Sequence, residues 1–455
     1  MFKKMNIVRD RSFYGTLISL CIPLALQSML AYSVNTLDSI MLGALGEVPM
    51  SAVNIGLQPF NIVSGIIRGL ILGGTVLMAQ YYGKGDTKSI KTTMAICMRV
   101  NLLISVVCTL VTGLFPKPIM GIFSTDQAVI DAGVGYLRVI SFTYALYAIS
   151  MTYQLTCRAL QDARTPLIIN LITYATNIGL NYCFIFGKFG CPQMGVTGAA
   201  VGTLIARVLE FALCGGHLLL FNKTLQFKLG DFFAKSKRLT GDIWKYGLPS
   251  LLSEMIFTLG MSAYAIIFGR LGTLAMAANS IASIATRIGE TFTGCIASAS
   301  AVMIGKTIGE GDLDRAKLQV KTFNVVSMCA ALCSIVILLA INPILISLYN
   351  IAPETVEMAK QMCFFNALFQ IAYAFEMLYV CGLLVGSGDT NYIFWYTTII
   401  MWGITMPIAF AGAFLFKWSP IVVFIILKCD YVIKGVVGYI RTKGNKWIKE
   451  VTVSK

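Results

Sequence analysis

The chain has 455 residues, 57% hydrophobic and only 13% charged, with a mean hydropathy of +0.76. A soluble domain carries about a quarter of its residues as charges, so most of this surface must face lipid and the chain belongs in a membrane. The net charge of +15 does not point to nucleic acid, because the basic residues gather in loops between apolar runs rather than in one aromatic-interleaved patch.

At the N-terminus Lys3, Lys4, Arg9 and Arg11 precede a long apolar run. The run is too long for a signal peptide and leads into further spans, so it reads as the first membrane helix. Stretches long enough to cross a bilayer fall at 15–42, 52–80, 93–115, 131–158, 165–187 and 196–222. Six more follow at 246–270, 276–305, 318–347, 357–386, 391–416 and 418–440. Twelve spans put both ends on one side. That side carries Lys84, Lys88, Lys91, Arg158, Arg164, the five basic residues from Lys223 to Arg238, Lys306, Arg315 and Lys317, and the tail adds Arg441, Lys443, Lys446 and Lys449. The opposite loops offer Lys117, Lys188, Arg270, Lys360 and Lys417. By the positive-inside rule both termini are cytoplasmic, as expected of a multi-pass protein of the cell membrane.

The organisation that follows is an N-lobe of residues 1–222, a cytoplasmic linker of 223–245, and a C-lobe of 246–455 with a basic tail. Six spans per half make the halves parallel repeats about an axis along the membrane normal. Phe227, Phe232, Phe233 and Trp244 among lysines predict a linker helix lying on the inner membrane surface. The repeat is visible in the residues themselves. Residues 23–86 return without a gap 226 positions later, pairing Pro23 with Pro249, Met29 with Met255, and Ala52 with Ala278. Gly43, Gly46, Gly83, Gly85 and Asp86 pair with Gly269, Gly272, Gly309, Gly311 and Asp312. Glycine just past an apolar helix reads as a left-handed C-terminal stop. A fainter echo links Cys157–Thr165 with Cys381–Thr390, a polar turn before a new helix.

The 13 cysteines are scattered in apolar runs with no C-x-x-C pair and read as small hydrophobic fillers, and His217 is the one histidine. There is no nucleotide-binding loop, zinc-protease helix or nucleophile elbow, so neither an enzyme nor an ATP-driven pump is indicated.

Pro23, Asp38, the Gly43-Ala-Leu-Gly46 turn with Ala52, the Gly83-Lys-Gly85-Asp86 loop and the Gly198-Ala-Ala-Val-Gly-Thr203 opening of the sixth span resemble multidrug and toxic compound extrusion (MATE) transporters. The likeness covers both halves. It implies an all-α fold of twelve helices in two six-helix lobes around a V-shaped central cavity. It also implies secondary antiport: cationic or amphipathic small molecules leave by alternating access as Na⁺ or H⁺ enters, with no cofactor and with a monomer as the working unit. Pro23 and Pro249 would be hinges, each removing one backbone bond from its helix.

A charge inside a membrane needs an account, since it costs about 2.5–3.5 kcal/mol on insertion scales. Asp38 lies five residues before Gly43, ~7–8 Å from that helix end. A carboxylate there is a natural exchange point for Na⁺ or a proton; the plain alternative is that it snorkels outward or caps a neighbouring helix. The resemblance makes it part of an N-lobe cation site with Asn177, Asn181 and Thr203, and with Na⁺ the ligands would be Asp38, Asn177 and Asn181. The asparagines are four apart, on one helix face, and amide oxygens suit a hard cation; interhelix hydrogen bonding is their ordinary alternative. Some relatives carry a carboxylate where this chain has Asn181.

In the C-lobe the resemblance points to Glu254, for substrate or protons, and to Glu376, about two residues off the register of an aspartate in some relatives. In the repeat Glu254 pairs with Ser28 and Asp38 with Tyr264, so the lobes share a scaffold and differ in chemistry. Arg207 with Glu210 and Arg287 with Glu290, three apart, read as self-neutralising pairs. Lys428 and Asp430 point to different faces of the last helix. Arg68 meets either a carboxylate across the cavity or a substrate anion. The 21 methionines and the aromatic residues suit a cavity for flat cations, although lipid-facing positions account for most of them. Arg68, Arg138, Arg207 and Arg287 keep open a second reading, a flippase for lipid-linked saccharide precursors that would hold pyrophosphate.

Overall fold

A computed structural model describes residues 7–347 and 352–452. Lys3 and Lys4 of the basic N-terminus lie outside the described residues, which form helices and loops with no strand. The helices are α1 (Arg11–Gly43), α2 (Glu47–Gly56), α3 (Gln58–Gly83), α4 (Thr87–Leu114), α5 (Pro116–Phe123), α6 (Gln127–Ser141), α7 (Thr143–Ala159), α8 (Arg164–Phe186) and α9 (Gly195–Gly216). They continue as α10 (Lys237–Arg270), α11 (Thr273–Gly309), α12 (Leu313–Ser347), α13 (Pro353–Met377), α14 (Leu384–Gly386), α15 (Thr390–Thr398), α16 (Met406–Phe414) and α17 (Pro420–Lys443). Wide π-turns at Leu378–Leu383 and Ile399–Thr405 join α13 to α14 and α15 to α16.

Among the described residues ten helical stretches are long and apolar enough to cross a membrane, and α6 with α7, bent by 45°, make an eleventh. The twelfth expected span is helical as α17 but carries Lys428, Asp430 and Lys434, so apolarity alone does not qualify it. The fold is therefore an all-α, multi-pass membrane fold. Arg11–Gly43 is a single helix through Pro23, and Lys237–Arg270 one through Pro249. α10 starts nine residues before the expected span because the polar run from Lys237 continues the same helix. The expected surface helix of the linker is instead one 3₁₀ turn, Leu229–Phe233, followed by that early start of α10. Gln226 adopts a left-handed φ of 46°, which interrupts the run. Lys91 and Arg99 of α4 hold the linker through the carbonyls of Gln226 (3.2 Å) and Ala234 (2.5 Å).

The chain forms two compact units. One contains residues 1–25, 79–84 and 248–455; the other contains residues 26–78 and 85–247. α1 thus changes unit two residues after Pro23, and α10 changes unit just before Pro249.

The 226-residue offset also holds in the backbone. Gly46 and Gly272 have φ of 114° and 113°, and Gly85 and Gly311 have φ of 72° and 82°. In each pair the second glycine takes a positive φ, and Gly46 and Gly272, with ψ of 175° and 164°, are extended N-caps of the next helix rather than the left-handed stops expected. Gly83 and Gly309 do something else: a Cβ on Gly83 would strike the Lys306 carbonyl, and one on Gly309 would strike the Gln80 carbonyl. The ends of α3 and α11 therefore cross backbone to backbone, within one unit. The tail closes over the same place. Gln80 donates to the Lys449 carbonyl (2.9 Å) and accepts from the Val451 amide (3.0 Å), and Trp447 is fully buried beside them in sequence. Asp389, at the turn before α15, takes Arg441 at 2.8 Å.

Gly309→Val should lower stability by about 3 kcal/mol or more, since backbone must move to admit the side chain. Gly215→Ala, where an added methyl meets nothing within 4 Å, should change it by less than about 1 kcal/mol. Melting curves of the purified variants in detergent make the comparison.

Candidate functional site

Two polar clusters lie in the unit of residues 26–78 and 85–247. The first is built where α1, α8 and α9 meet. α8 brings its asparagines onto one face, and α9 comes close because Gly198 and Gly202, one turn apart, face it. A Cβ on Gly198 would collide with the Phe184 carbonyl, and one on Gly202 with Asn181 Oδ1.

The approach lets four side chains join in a row. Asn181 Nδ2 donates to Asp38 Oδ1 at 2.9 Å and to Asn177 Oδ1 at 3.4 Å, and Asn177 Nδ2 donates to Thr203 Oγ1 at 3.3 Å. Asn181 is 1% exposed, Asn177 is buried, and Asp38 and Thr203 are half-buried. Both amide protons of Asn181 are used, while its Oδ1 is buried with no hydrogen-bond partner. An orphaned buried acceptor costs about 1–3 kcal/mol. A carboxylate, two amide oxygens and a hydroxyl form a hard-oxygen set suited to a cation such as Na⁺, and the unfilled carbonyl is where such an ion would add a bond. The structure brings together the four residues that the sequence proposes for the N-lobe.

The second cluster lies further along α9. Glu210 is buried, paired with Arg207, and accepts from Gln154 Nε2 at 2.7 Å; Asn170 donates to Gln154 Oε1 at 3.2 Å. Arg207 also lies over the Tyr147 ring at 5.2 Å. Arg207 and Glu210 do pair as expected, but inside a wider network. Gln27, one turn after Pro23, binds Arg158 at 2.5 Å and the Ala163 carbonyl at 3.2 Å, tying α1 to the end of α7.

The other unit, which contains residues 248–455, holds a buried charge cluster. Lys434 of α17 is 2% exposed and reaches Asp430 at 2.5 Å and Glu376 of α13 at 3.9 Å. Thr405, in the second π-turn, donates to Asp430 at 3.4 Å. Lys428 sits over the rings of Phe424 and Tyr431. Glu254 is half-buried on α10. Sequence reasoning passed over Lys434, although Asp430 and Lys434 stand four apart in an apolar helix. Among the described residues no group of three or more His, Cys, Asp and Glu could hold a metal ion.

A family model described as MatE matches the chain twice, over residues 23–183 and 249–411, with starts 226 residues apart. Multidrug resistance proteins MdtK of Yersinia enterocolitica and Yersinia pseudotuberculosis are each 26% identical to it over 406 residues, 88% of this chain and 87% of theirs. Among solved structures, a MATE in a bent conformation superposes with a TM-score of 0.86 at 18% identity over 94% of both chains. A MOP superfamily transporter from Pyrococcus furiosus superposes with 0.84, again at 18% identity over 94% of both. At these identities the structures establish the fold alone.

Lys434→Met should destabilise the protein by about 3–5 kcal/mol, because it strands two buried carboxylates. Adding Asp430→Leu should recover part of that loss, since Glu376 stays buried without its lysine. Melting temperatures of the single and double variants decide it.

Proposed function

The chain belongs to the MatE family and is an efflux transporter, not an enzyme; from that premise we propose that it exports cationic or amphipathic small molecules in exchange for Na⁺ or H⁺ by alternating access. The observation that carries this reading is the row Asp38–Asn181–Asn177–Thr203, with its one unpartnered carbonyl. Of the two ions, that carbonyl favours Na⁺. A proton on Asp38 leaves Asn181 Oδ1 as it was, whereas a cation among the four residues takes it up. The name of the Yersinia relatives, multidrug resistance proteins, supports drug-like cargo.

The architecture in this reading is twelve spans in two six-helix parallel lobes, 1–222 and 246–455, joined by 223–245, with both termini in the cytoplasm and a monomer as the working unit. The matched φ angles at Gly46 and Gly272 and at Gly85 and Gly311 support the repeat, and the basic loops support the orientation. Pro23 and Pro249 are the hinges: each interrupts the backbone ladder where its helix passes from one compact unit to the other. Glu254 and Glu376 serve substrate or protons in the C-lobe. Binding at Asp38 couples to release only if ion and substrate prefer different states of the transporter.

The test is dye efflux from proteoliposomes under separately imposed Na⁺ and pH gradients. Asp38→Asn should reduce ion-driven efflux at least 100-fold while the protein inserts normally, and normal efflux by that variant ends the reading. Gly202→Ala, whose methyl collides with Asn181 Oδ1, should lower the melting temperature and, in addition, cut the further stabilisation given by NaCl over choline chloride.

A further inference from the structure

A groove of about 1280 Å³ runs along α12, α13 and α17, entirely within the unit that contains residues 248–455. It is larger than the ~300–1,000 Å³ of pockets for drug-sized ligands. Its walls are apolar, from Val320 and Phe369 to Val432 and Val436, and the last two are exposed on the flank. Its polar groups are gathered at one end. Lys317 and Lys321 stand at the start of α12, and Lys443 is the last residue of α17. From Tyr431, deep in the groove, to Lys443 is twelve residues of helix, ~18 Å. Half of a ~30 Å hydrocarbon core is ~15 Å. The groove therefore matches one leaflet in depth, with its lysines at headgroup level.

We propose that this groove binds one anionic phospholipid, its acyl chain along α17 and its phosphate among Lys317, Lys321 and Lys443. The charge is complementary and largely unspent. Lys317 has Asp314 at 3.9 Å, a fully exposed carboxylate, while Lys321 and Lys443 pair with no carboxylate among the described residues. Lys443 lies over the Tyr439 ring at 4.6 Å, which holds its ammonium at the mouth. Tyr379 donates to Asn324 Oδ1 at 2.8 Å, leaving the Asn324 amide nitrogen as a neutral donor at the same end. The N-terminal segment completes the rim: Ile7 lines the groove, and the Val8 amide is fixed to Thr322 Oγ1 at 2.9 Å. Three cations against one exposed carboxylate select a headgroup with net negative charge over a zwitterionic one.

Native mass spectrometry of the purified transporter, titrated with phosphatidylglycerol or phosphatidylcholine, tests the assignment. The wild type should retain one phosphatidylglycerol in preference to phosphatidylcholine. Each lysine near an anionic headgroup is worth about five-fold, so K317Q/K321Q/K443Q should weaken phosphatidylglycerol about 100-fold and leave phosphatidylcholine unchanged. Val436→Trp, which fills the groove from its open side, should remove retention of both. If the triple variant unfolds, Lys443→Gln alone should show the five-fold loss. Equal retention of the two lipids by the wild type, or unchanged phosphatidylglycerol binding by the lysine variants, overturns the proposal. So does a dimer of the wild type that Val436→Trp dissociates with lipid binding intact.

Discussion

Hydrocarbon offers no hydrogen bonds, so a polar side chain placed at membrane depth must find its partner in the protein. The side chains gathered between α7, α8 and α9 answer that demand. Gln154, Asn170, Arg207 and Glu210 satisfy one another across three helices, and Gln27 is spent on Arg158 and a carbonyl. Asn181 Oδ1 is one of several buried polar atoms without a hydrogen-bond partner, with Asn101 Oδ1, Arg158 Nε and Asn342 Oδ1 among the others, and it lies in a row with the Asp38 carboxylate. An open acceptor in a row with a carboxylate suits a hard cation.

The repeat-related helices use one backbone for different chemistry. Asp38 is matched by Tyr264, whose hydroxyl donates to the Leu427 carbonyl at 3.3 Å and so helps fix α17. In that half the charge lies on α13 and α17, where Lys434 is enclosed by two carboxylates. Such a cluster is costly to assemble and more costly to break. It is flanked by the π-turn that carries Thr405, a local widening that often accompanies functional positions.

Hydropathy located most of the spans, because a lipid-facing helix cannot hide its length, and fell short at α17, which carries Lys428, Asp430 and Lys434. It did not foretell the 45° break between α6 and α7, which falls at Phe142 with no proline to mark it. The four residues at the first site were legible as a set through the family resemblance, and their amide spacing agreed with one helix face. The Gln154–Glu210 network was not, because neutral amides carry no insertion cost large enough to attract notice. Lys434 was hidden for a different reason: whether a lysine near the middle of a helix snorkels or turns inward depends on which helices flank it. Gly83 and Gly309 read as stops because a close helix crossing leaves no trace in either helix alone.

That crossing is reciprocal. Gly83 meets residue 306, the counterpart of residue 80, and Gly309 meets residue 80 itself. Contacts in which i touches j and j touches i are the mark of an isologous interface between two identical subunits. Here the two matched segments meet as a subunit meets its copy in a homodimer. The match is kept at these glycines, whereas Asp38 and Tyr264, at matched positions elsewhere, show how far the side chains differ.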